Sequence, residues 1–359
     1  MSPVVHELSK YPDCFESRVC VTAQHREMLD QALDLFGISP EYDLDLMQRN
    51  QSLTDLTGQI LSGLEPVLRE FRPNCVLVHG DTTTTFAATL ASFYAGAAVG
   101  HVEAGLRTGN LLAPWPEEAN RRLTSVLTKY HFVPTQHARQ NLLSEGVADS
   151  SITVTGNTVI DALLSTVTKL ERDAALAASV AARFDYLDDT KRLILVTGHR
   201  RESFGEGFES LCRCLRQIAL EHEDVQIVYP VHLNPKVREP VHNMLSGVDR
   251  IFLIGPEEYL PFVYLMSRCD LIITDSGGIQ EEAPSLGKPV LVTRDTTERP
   301  EAVAAGTVTL VGSKSDVLLE EVNKFFCDHG PGRGLAISNP YGDGFASRRI
   351  VDALRSGFG

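Results

Sequence analysis

The chain has 359 residues, of which 43% are apolar and 22% charged, a balance typical of a globular protein with two domains. Its formal net charge of −14 argues against nucleic acid or an anionic membrane as a partner, because both attract basic surfaces. A small anionic ligand is not excluded, since it needs only local positive charge and suitably directed N–H groups.

The cysteines and the N-terminus indicate the cellular compartment of the protein. Seven cysteines are scattered, and the one close pair, Cys212 and Cys214, has neither a metal-binding nor a redox spacing. This pattern predicts reduced thiols in a cytoplasmic protein. Residues 1–10 lack the apolar core of a signal peptide, and no apolar run reaches the roughly 20 residues of a membrane span. Without a Gly-x-Gly-x-x-Gly fingerprint, a Walker lysine loop or a metal-ligand spacing, we expect no cofactor and no metal.

Short β-rich apolar runs alternate with longer amphipathic helical patterns in two series. The first series predicts strands at 19–21, 75–79, 98–102, 131–133 and 152–154, with helices at 24–36, 53–71, 82–94 and 117–129. The second predicts strands at 193–196, 225–229, 251–254, 271–274, 289–292 and 308–311. A long alanine-rich helical stretch, 159–183, separates them. This alternation predicts an α/β fold of two Rossmann-like domains facing across a cleft, with ligands beyond the carboxyl ends of parallel strands.

The segment Asp275-Ser276-Gly277-Gly278 lies between a predicted buried strand and a helix. Two glycines let a ligand approach the backbone, and the N–H groups at the helix start favour a phosphate. Glu282 follows within the first turns, where a carboxylate can reach the ribose beside a bound diphosphate. The alternative interpretation is a tight turn in which Ser276 simply caps the helix.

A group of basic residues follows another predicted strand, in the segment Gly198-His199-Arg200-Arg201. His199 can donate to a phosphate or transfer a proton near neutral pH, and Arg200 and Arg201 supply charge that the chain as a whole lacks.

The first half supplies carboxylates at predicted element ends. Asp81 and Glu103 each follow a strand, and Glu117 lies in the first turn of a helix after Pro116. One acid at a helix start is usually a capping charge. Three acids at neighbouring ends of one sheet can converge, and carboxylates in different environments suit acid/base chemistry at carbon.

Taken together, these motifs resemble the bacterial non-hydrolysing UDP-N-acetylglucosamine 2-epimerases, and the resemblance runs in order from about the first residue to the last. The segments that carry it are Thr22–Met28, His79–Thr84, His101–Arg107, Pro114–Glu118, Thr197–Arg200, Asp275–Glu282, Arg294–Glu301 and Asn339–Gly344.

The resemblance implies the glycosyltransferase-B fold, with an N-terminal Rossmann-like domain at 1–158 that is joined by a C-terminal helix within 341–359. A UDP-binding domain would occupy 159–340. It implies an isomerase that interconverts UDP-GlcNAc and UDP-ManNAc by elimination and re-addition of UDP through 2-acetamidoglucal. A cytoplasmic homodimer that feeds surface polysaccharide synthesis is the corresponding biological expectation.

By the same resemblance, individual residues receive expected roles. Asp81, Glu103 and Glu117 are the acid/base candidates, and His199 assists the departing diphosphate. The expected substrate-binding residues are Arg200, Glu257, Phe262 (near uracil), Ser276, Gly277, Gly278, Glu282 and Arg299. An allosteric UDP-GlcNAc site would lie near Gln24, Arg200 and His232.

One departure from the family pattern concerns the N-terminal domain. The family's first strand and its Gly-Thr-Arg-Pro-Glu loop have no match, so the first strand of this domain is expected to be missing. A start codon placed at an internal Met, or a truncated chain, would explain this; a truly short form should have an unstable first domain and weak or no activity. The competing functions are a UDP-dependent glycosyltransferase, a hydrolysing epimerase and a UDP-sugar-binding protein without catalysis.

Overall fold

The computed structural model describes residues 1–23, 26–46, 51–198, 205–297, 299–328 and 339–358. The chain forms two compact units. Unit 1 comprises Met1–Ala162 and Tyr341–Gly359, and unit 2 comprises Leu163–Pro340. Each is an α/β unit built on a parallel sheet, as the alternation of strands and helices predicts.

In unit 1, strands β1 to β6 alternate with helices along most of the chain. Its elements are α1 (Ser2–Leu8), β1 (Cys20–Val21), α2 (Arg26–Phe36), β2 (Tyr42–Asp43), α3 (Leu53–Phe71), β3 (Cys75–His79), α4 (Thr83–Tyr94), β4 (Ala98–Val102), α5 (Glu117–Leu127), β5 (Tyr130–Val133), α6 (Gln136–Ser144), β6 (Ile152–Val154), the start of α7 (Thr158–Arg172) and α15 (Ala346–Phe358). The main sheet has the order β3-β4-β5-β6, and β1 and β2 form a separate parallel pair. Cys75 to His79 of β3 are in register with Ala98 to Val102 of β4, so the two strands end side by side.

A cavity of about 850 Å³ lies beside β3 in unit 1. Its lining includes residues from β1 and β3 and from helices α1, α3 and α4. Among the described residues β3 has one strand neighbour, β4, and most of its side chains are only half-buried. An apolar strand of a parallel sheet is normally covered on both faces and paired on both edges. In the described part of the chain, nothing corresponds to the first strand that the family resemblance implies.

The C-terminal helix α15 is held in unit 1 by a buried carboxylate and by an apolar face. Asp161 accepts hydrogen bonds from the backbone N–H groups of Ala346 (3.1 Å) and Ser347 (2.7 Å), which lie in the first turn of the helix. Ile350, Val351 and Leu354 pack in one cluster with Val4, Leu8, Val102 and Phe132. The helix spans Ala346–Phe358 and lies within the predicted segment 341–359.

Unit 2 contains a six-stranded parallel sheet of order β12-β11-β10-β7-β8-β9. Its elements are the rest of α7, α8 (Ala174–Ala181), β7 (Arg192–Thr197), α9 (Glu206–Glu221), β8 (Val225–Pro230), α10 (Pro235–Leu245), β9 (Ile251–Ile254), α11 (Tyr259–Arg268), β10 (Leu271–Thr274), α12 (Gly277–Glu282), β11 (Val290–Val292), α13 (Pro300–Ala304), β12 (Val308–Leu310) and α14 (Ser315–Asp328). The central strands are fully buried, with Ile194, Ile227 and Ile273 packed against Leu215 and Ile218 of α9. None of the described helices is long and apolar enough to cross a membrane.

Two predicted helices end earlier in the structure than the sequence pattern predicts. The stretch 159–183 is not one helix: α7 ends at Arg172 and α8 begins at Ala174. Asp173 has an extended backbone, and its side chain accepts a hydrogen bond from the backbone N–H of Leu176, which is the geometry of a new helix cap. The helix predicted at 117–129 ends at Leu127, since the backbone of Thr128 is already extended.

Candidate active site

Asp81 lies directly beyond the carboxyl end of β3. Gly80, with a φ of +69°, turns the chain there, and Thr82 caps α4 by accepting a hydrogen bond from the backbone N–H of Thr85. The Asp81 side chain is half-buried, and its Oδ2 lies 3.0 Å from Nη2 of Arg121 on α5. Asn120 Nδ2 donates to the Asp81 carbonyl at 3.0 Å. Two neighbouring residues of one helix therefore fix both the backbone and the carboxylate of Asp81.

Behind Arg121 lies a second, fully buried acid. Glu118 is 0% exposed, and its Oε2 is 3.5 Å from Nη1 of Arg121. The same carboxylate accepts hydrogen bonds from the backbone N–H groups of Thr108 (3.0 Å) and Gly109 (3.2 Å). These bonds tie the loop after β4 to the first turn of α5.

Glu103 lies beyond the end of β4, beside β3. Its φ of +66° is unusual for a residue with a side chain, and strained backbone of this kind is concentrated at functional sites. Glu103 Oε2 lies 3.5 Å from Nε2 of His79, and Asn157 Nδ2 donates to Oε1 at 3.4 Å. A Cβ placed on Gly80 would lie 3.4 Å from Glu103 Oε2, so this carboxylate is adjacent to the turn that carries Asp81.

The two histidines at this sheet edge are held neutral by burial. Burial lowers the pKa of His79 to about 3 and that of His101 to about 4. His101 Nε2 donates to the Gly80 carbonyl at 2.7 Å and so supports the turn before Asp81. Near neutral pH, Glu103 therefore faces a neutral imidazole, whereas Asp81 faces a guanidinium.

Glu117, the third predicted acid, is half-buried in the first turn of α5. It precedes Glu118 and shares its helix with Asn120 and Arg121, the residues that contact Asp81. The structure thus places Asp81 and Glu103 at adjacent strand ends and connects Glu117 to Asp81 through one helix. Environments that differ in this way favour different protonation states in neighbouring carboxylates.

In unit 2, the predicted phosphate loop lies between β10 and α12. Thr274, at the end of β10, is 2.6 Å from Thr197 of β7 through the two hydroxyl oxygens, and its Oγ1 accepts a hydrogen bond from the Ser276 N–H at 2.9 Å. Ser276 occupies the cap position, but its side chain makes no capping hydrogen bond there. Gly278 is exposed, and a Cβ added to it would meet nothing closer than 3.9 Å. The backbone at the start of α12 is therefore open to a ligand.

A network of polar side chains holds the predicted phosphate loop in place. Gln280 Nε2 donates to the Ser276 carbonyl at 3.0 Å, and its Oε1 accepts from the Thr297 hydroxyl at 2.6 Å. Arg299 forms an ion pair with the buried Glu281, and its backbone N–H donates to Thr297 Oγ1 at 3.0 Å. Because Glu281 belongs to α12, this ion pair holds the predicted nucleotide-binding residue Arg299 beside that helix.

Glu282, at the end of α12, is buried and accepts a hydrogen bond of 2.8 Å from the Tyr259 hydroxyl. Burial raises the pKa of Glu282 to about 7, although the bond from Tyr259 favours the ionised form. The sequence did not indicate Tyr259, which begins α11 and is 23 residues away along the chain.

The remaining predicted residues of unit 2 are more dispersed. Phe262 is half-buried on α11, and Glu257 lies just before that helix in an ion pair of 2.6 Å with Arg183. Burial raises the pKa of Glu257. His232 is exposed after β8, and its Nδ1 accepts the backbone N–H of Asn234 at 3.1 Å. His199, Arg200 and Gln24 lie outside the described residues.

Sequence reasoning missed Arg121, Asn157 and Tyr259, which contact predicted acids, and Glu118, which contacts Arg121. Glu118 and Arg121 lie in the predicted helix 117–129 with Glu117, and their spacing of three was an available signal. Asn157 and Tyr259 carried no comparable local signal. In the described part of the chain, no group of three or more His, Cys, Asp or Glu side chains could hold a metal ion.

Comparison with known proteins assigns the chain to a family. A profile of the UDP-N-acetylglucosamine 2-epimerase family matches residues 6–355. The UDP-N-acetylglucosamine 2-epimerase of Escherichia coli K12 is 60% identical over 99% of this chain and 95% of the relative. The crystal structure of the Neisseria meningitidis UDP-GlcNAc 2-epimerase bound to UDP-GlcNAc is 53% identical, with a TM-score of 0.91 over 99% of this chain and 96% of that one. The Methanocaldococcus jannaschii enzyme in complex with UDP-GlcNAc and UDP is 31% identical, with a TM-score of 0.81 over 100% and 96% of the two chains. The predicted family and α/β fold class are confirmed, and the chain belongs to the UDP-N-acetylglucosamine 2-epimerase family.

Proposed function

We propose that the protein is a non-hydrolysing epimerase that interconverts UDP-GlcNAc and UDP-ManNAc at C2 of the sugar. The observation that carries this proposal is the whole-chain match to curated 2-epimerases. The three carboxylates of unit 1, which lie at neighbouring element ends in different environments, give the match a chemical basis. A relative that is 53% identical and is bound to UDP-GlcNAc supports the choice of nucleotide sugar.

The reaction must make a weakly acidic C2 hydrogen removable, because no carbonyl lies next to C2. In the proposed mechanism the C1–O bond to UDP breaks, and its electron pair stays with the β-phosphate oxygen. The C2 proton passes to a carboxylate, and the C2–H electron pair forms the C1–C2 double bond of 2-acetamidoglucal. In the return step a proton is added to the opposite face of C2, while a UDP oxygen attacks C1. No atom is lost, so no cofactor is consumed.

Asp81, Glu103 and Glu117 are the proposed proton donors and acceptors of unit 1. Asp81 is in contact with a guanidinium, whereas Glu103 contacts His79 and Asn157. Such a difference lets one carboxyl group take a proton while another delivers one.

The loop Ser276–Gly278 is the proposed site of the diphosphate in unit 2, where exposed backbone at the start of α12 offers N–H groups. Glu282 is assigned to the ribose, Arg299 to the nucleotide, and Phe262 and Glu257 to the uracil side. His199 is assigned to the departure of the diphosphate and Arg200 to substrate binding. Gln24, Arg200 and His232 are assigned to an allosteric UDP-GlcNAc site. These roles follow the family resemblance and are open to substitution experiments.

Incubation with UDP-GlcNAc in deuterated water, followed by NMR of the sugar, tests the proposed reaction. Deuterium at C2 of intact UDP-ManNAc is the expected result. Release of free ManNAc and UDP would instead identify a hydrolysing epimerase. An unchanged substrate would refute the epimerase and leave a glycosyltransferase or a sugar-binding protein.

Self-association is a separate part of the proposal. Helices α4 and α5 pack against each other in unit 1 and expose Tyr94 (74%), Phe93, Leu123 and Val126 (81%). Exposed apolar residues on two helices that pack together indicate a protein interface, and we assign them to a homodimer. Val126→Glu is expected to shift the sedimentation coefficient to that of a monomer. Leu220→Glu, at a position of α9 that is 70% exposed, should leave it unchanged; a monomeric wild type would refute the dimer.

The proposed location is the cytoplasm, where the product would feed the synthesis of a surface polysaccharide. All seven cysteines are free thiols, including the exposed Cys14 and Cys327, and such thiols persist in a reducing compartment. Fractionation of cells with an epimerase assay on each fraction tests this location.

A further inference from the structure

One buried guanidinium in unit 1 is shared between two carboxylates. Arg121 is 8% exposed, with Nη2 at 3.0 Å from Asp81 and Nη1 at 3.5 Å from Glu118. Its Nε is buried and has no hydrogen-bond partner among the described residues. Glu118 is itself fully buried and is further held by two backbone N–H groups. The two carboxylates are therefore the anionic partners that balance Arg121.

The net charge of Asp81, Glu118 and Arg121 together depends on whether Asp81 is protonated. With Asp81 ionised, two carboxylates and one guanidinium carry a net charge of −1. With Asp81 protonated, Glu118 and Arg121 balance each other, and no buried charge is left uncompensated. Without Glu118, protonation of Asp81 would leave Arg121 as an unpaired buried cation, which is strongly unfavourable.

We propose that Glu118 and Arg121 are positioning residues that orient Asp81 and allow it to gain and lose a proton during the reaction. This inference rests on the proposed epimerase function, in which Asp81 exchanges a proton with C2. Arg121 holds the carboxylate from one side, and Asn120 holds its backbone. Glu118 also ties the loop at Thr108 and Gly109 to the same helix, so the site and its charge balance are fixed together.

Two substitutions should lower kcat through different members of the cluster. Arg121→Gln removes the cation that contacts the Asp81 carboxylate. Glu118→Gln removes the anion that balances Arg121. Each should lower kcat by about 100-fold or more, the lower end of what a well-placed acid or base contributes, with little change in KM.

A double-mutant cycle tests whether Arg121 acts through Asp81. Arg121→Gln should cause no further loss of kcat in an Asp81→Asn background, whereas independent effects would multiply. Arg121→Lys retains the charge and should recover part of the activity if Arg121→Gln folds poorly. Arg122→Gln is the matched control, because Arg122 is the next residue, is 40% exposed and pairs with Glu145.

The outcomes separate this inference from the function on which it rests. A wild type that places no deuterium at C2 refutes the epimerase and, with it, the catalytic role of the cluster. An active wild type with multiplicative effects in the cycle refutes the positioning role alone. The same holds if both variants lose activity only in proportion to their unfolded fraction.

Discussion

The hydroxyl of Tyr259 donates a hydrogen bond of 2.8 Å to Oε1 of the buried Glu282. Burial raises the pKa of Glu282 to about 7, and the bond from Tyr259 partly opposes this shift. A buried acid that titrates near neutral pH beside an open backbone loop is a strong candidate for ligand recognition.

We expect the affinity for UDP to rise as the pH increases through about 7, because the ionised Glu282 is the better acceptor for ribose hydroxyls. Tyr259→Phe removes a bond that favours the carboxylate, so the midpoint of this rise should move to higher pH. Calorimetric titrations with UDP over a pH series measure both effects. Tyr264→Phe, on the same helix α11, is the control. Ionisation of the UDP phosphate is common to the titrations of all three proteins, so it does not affect the comparison. Identical midpoints in Tyr259→Phe and wild type would contradict the expectation.

Glu282 should also make the stability of unit 2 depend on pH. Its pKa in the folded protein is raised from 4.5 to about 7, so its stabilising contribution is complete below 4.5 and is lost as the pH rises through 7. At about pH 8 the buried carboxylate should lower the free energy of unfolding by up to about 3 kcal/mol relative to the protonated form.

Glu282→Gln is uncharged and retains an acceptor for Tyr259, so it should remove most of this dependence. Urea unfolding of the ligand-free protein at about pH 5 and about pH 8 provides the comparison. Glu258→Gln, at an exposed neighbouring position, should behave like the wild type. An equal loss of stability between the two pH values in wild type and Glu282→Gln would rule out Glu282 as the source.

Glu103→Gln tests the second acid of unit 1. We expect kcat to fall by about 10²- to 10⁴-fold, with loss of deuterium incorporation at C2, because the amide cannot exchange a proton. Affinity for UDP should remain, since the proposed nucleotide-binding residues belong to unit 2. Asp149→Asn, an exposed acid of unit 1 paired with Arg139, is the control. Activity within a few-fold of wild type would remove Glu103 from the mechanism.

The sequence predicted the strands well because local pattern determines them. Leu271–Ile273 is a short apolar run rich in β-branched residues, which is typical of a buried strand covered on both faces. Helix limits were less predictable. Asp173 divides the stretch 159–183 because its side chain caps α8, and a single aspartate in an alanine-rich segment does not specify that geometry.

The same distinction applies to the site. Asp81 and Glu103 were predictable because each follows an apolar strand, and neighbouring parallel strands end together. Their partners were not. Asn157 contacts Glu103 across 54 positions of the chain, and Tyr259 reaches Glu282 through the packing of α11 beside α12. Contacts of this kind depend on how helices pack on the sheet, which periodicity alone does not fix.

Gly105 connects the strained turn at Glu103 to helix α6. Its φ is +84°, and a Cβ there would overlap the carbonyl oxygen of Ala138 and lie 3.2 Å from Cγ of Leu142. Gly105→Ala should therefore combine backbone strain with overpacking and lower the free energy of unfolding of unit 1 by about 3 kcal/mol or more. Gly109→Ala is the matched control, because its φ is +78° but no atom lies within 4 Å of the added Cβ. Strain alone should cost that variant about 1 kcal/mol.

Thermal unfolding of both variants measures the difference. Because the clash displaces the chain two residues after Glu103, Gly105→Ala should also reduce kcat in the fraction that remains folded. Equal stability and activity in the two variants would show that contact with α6 does not hold this turn in place.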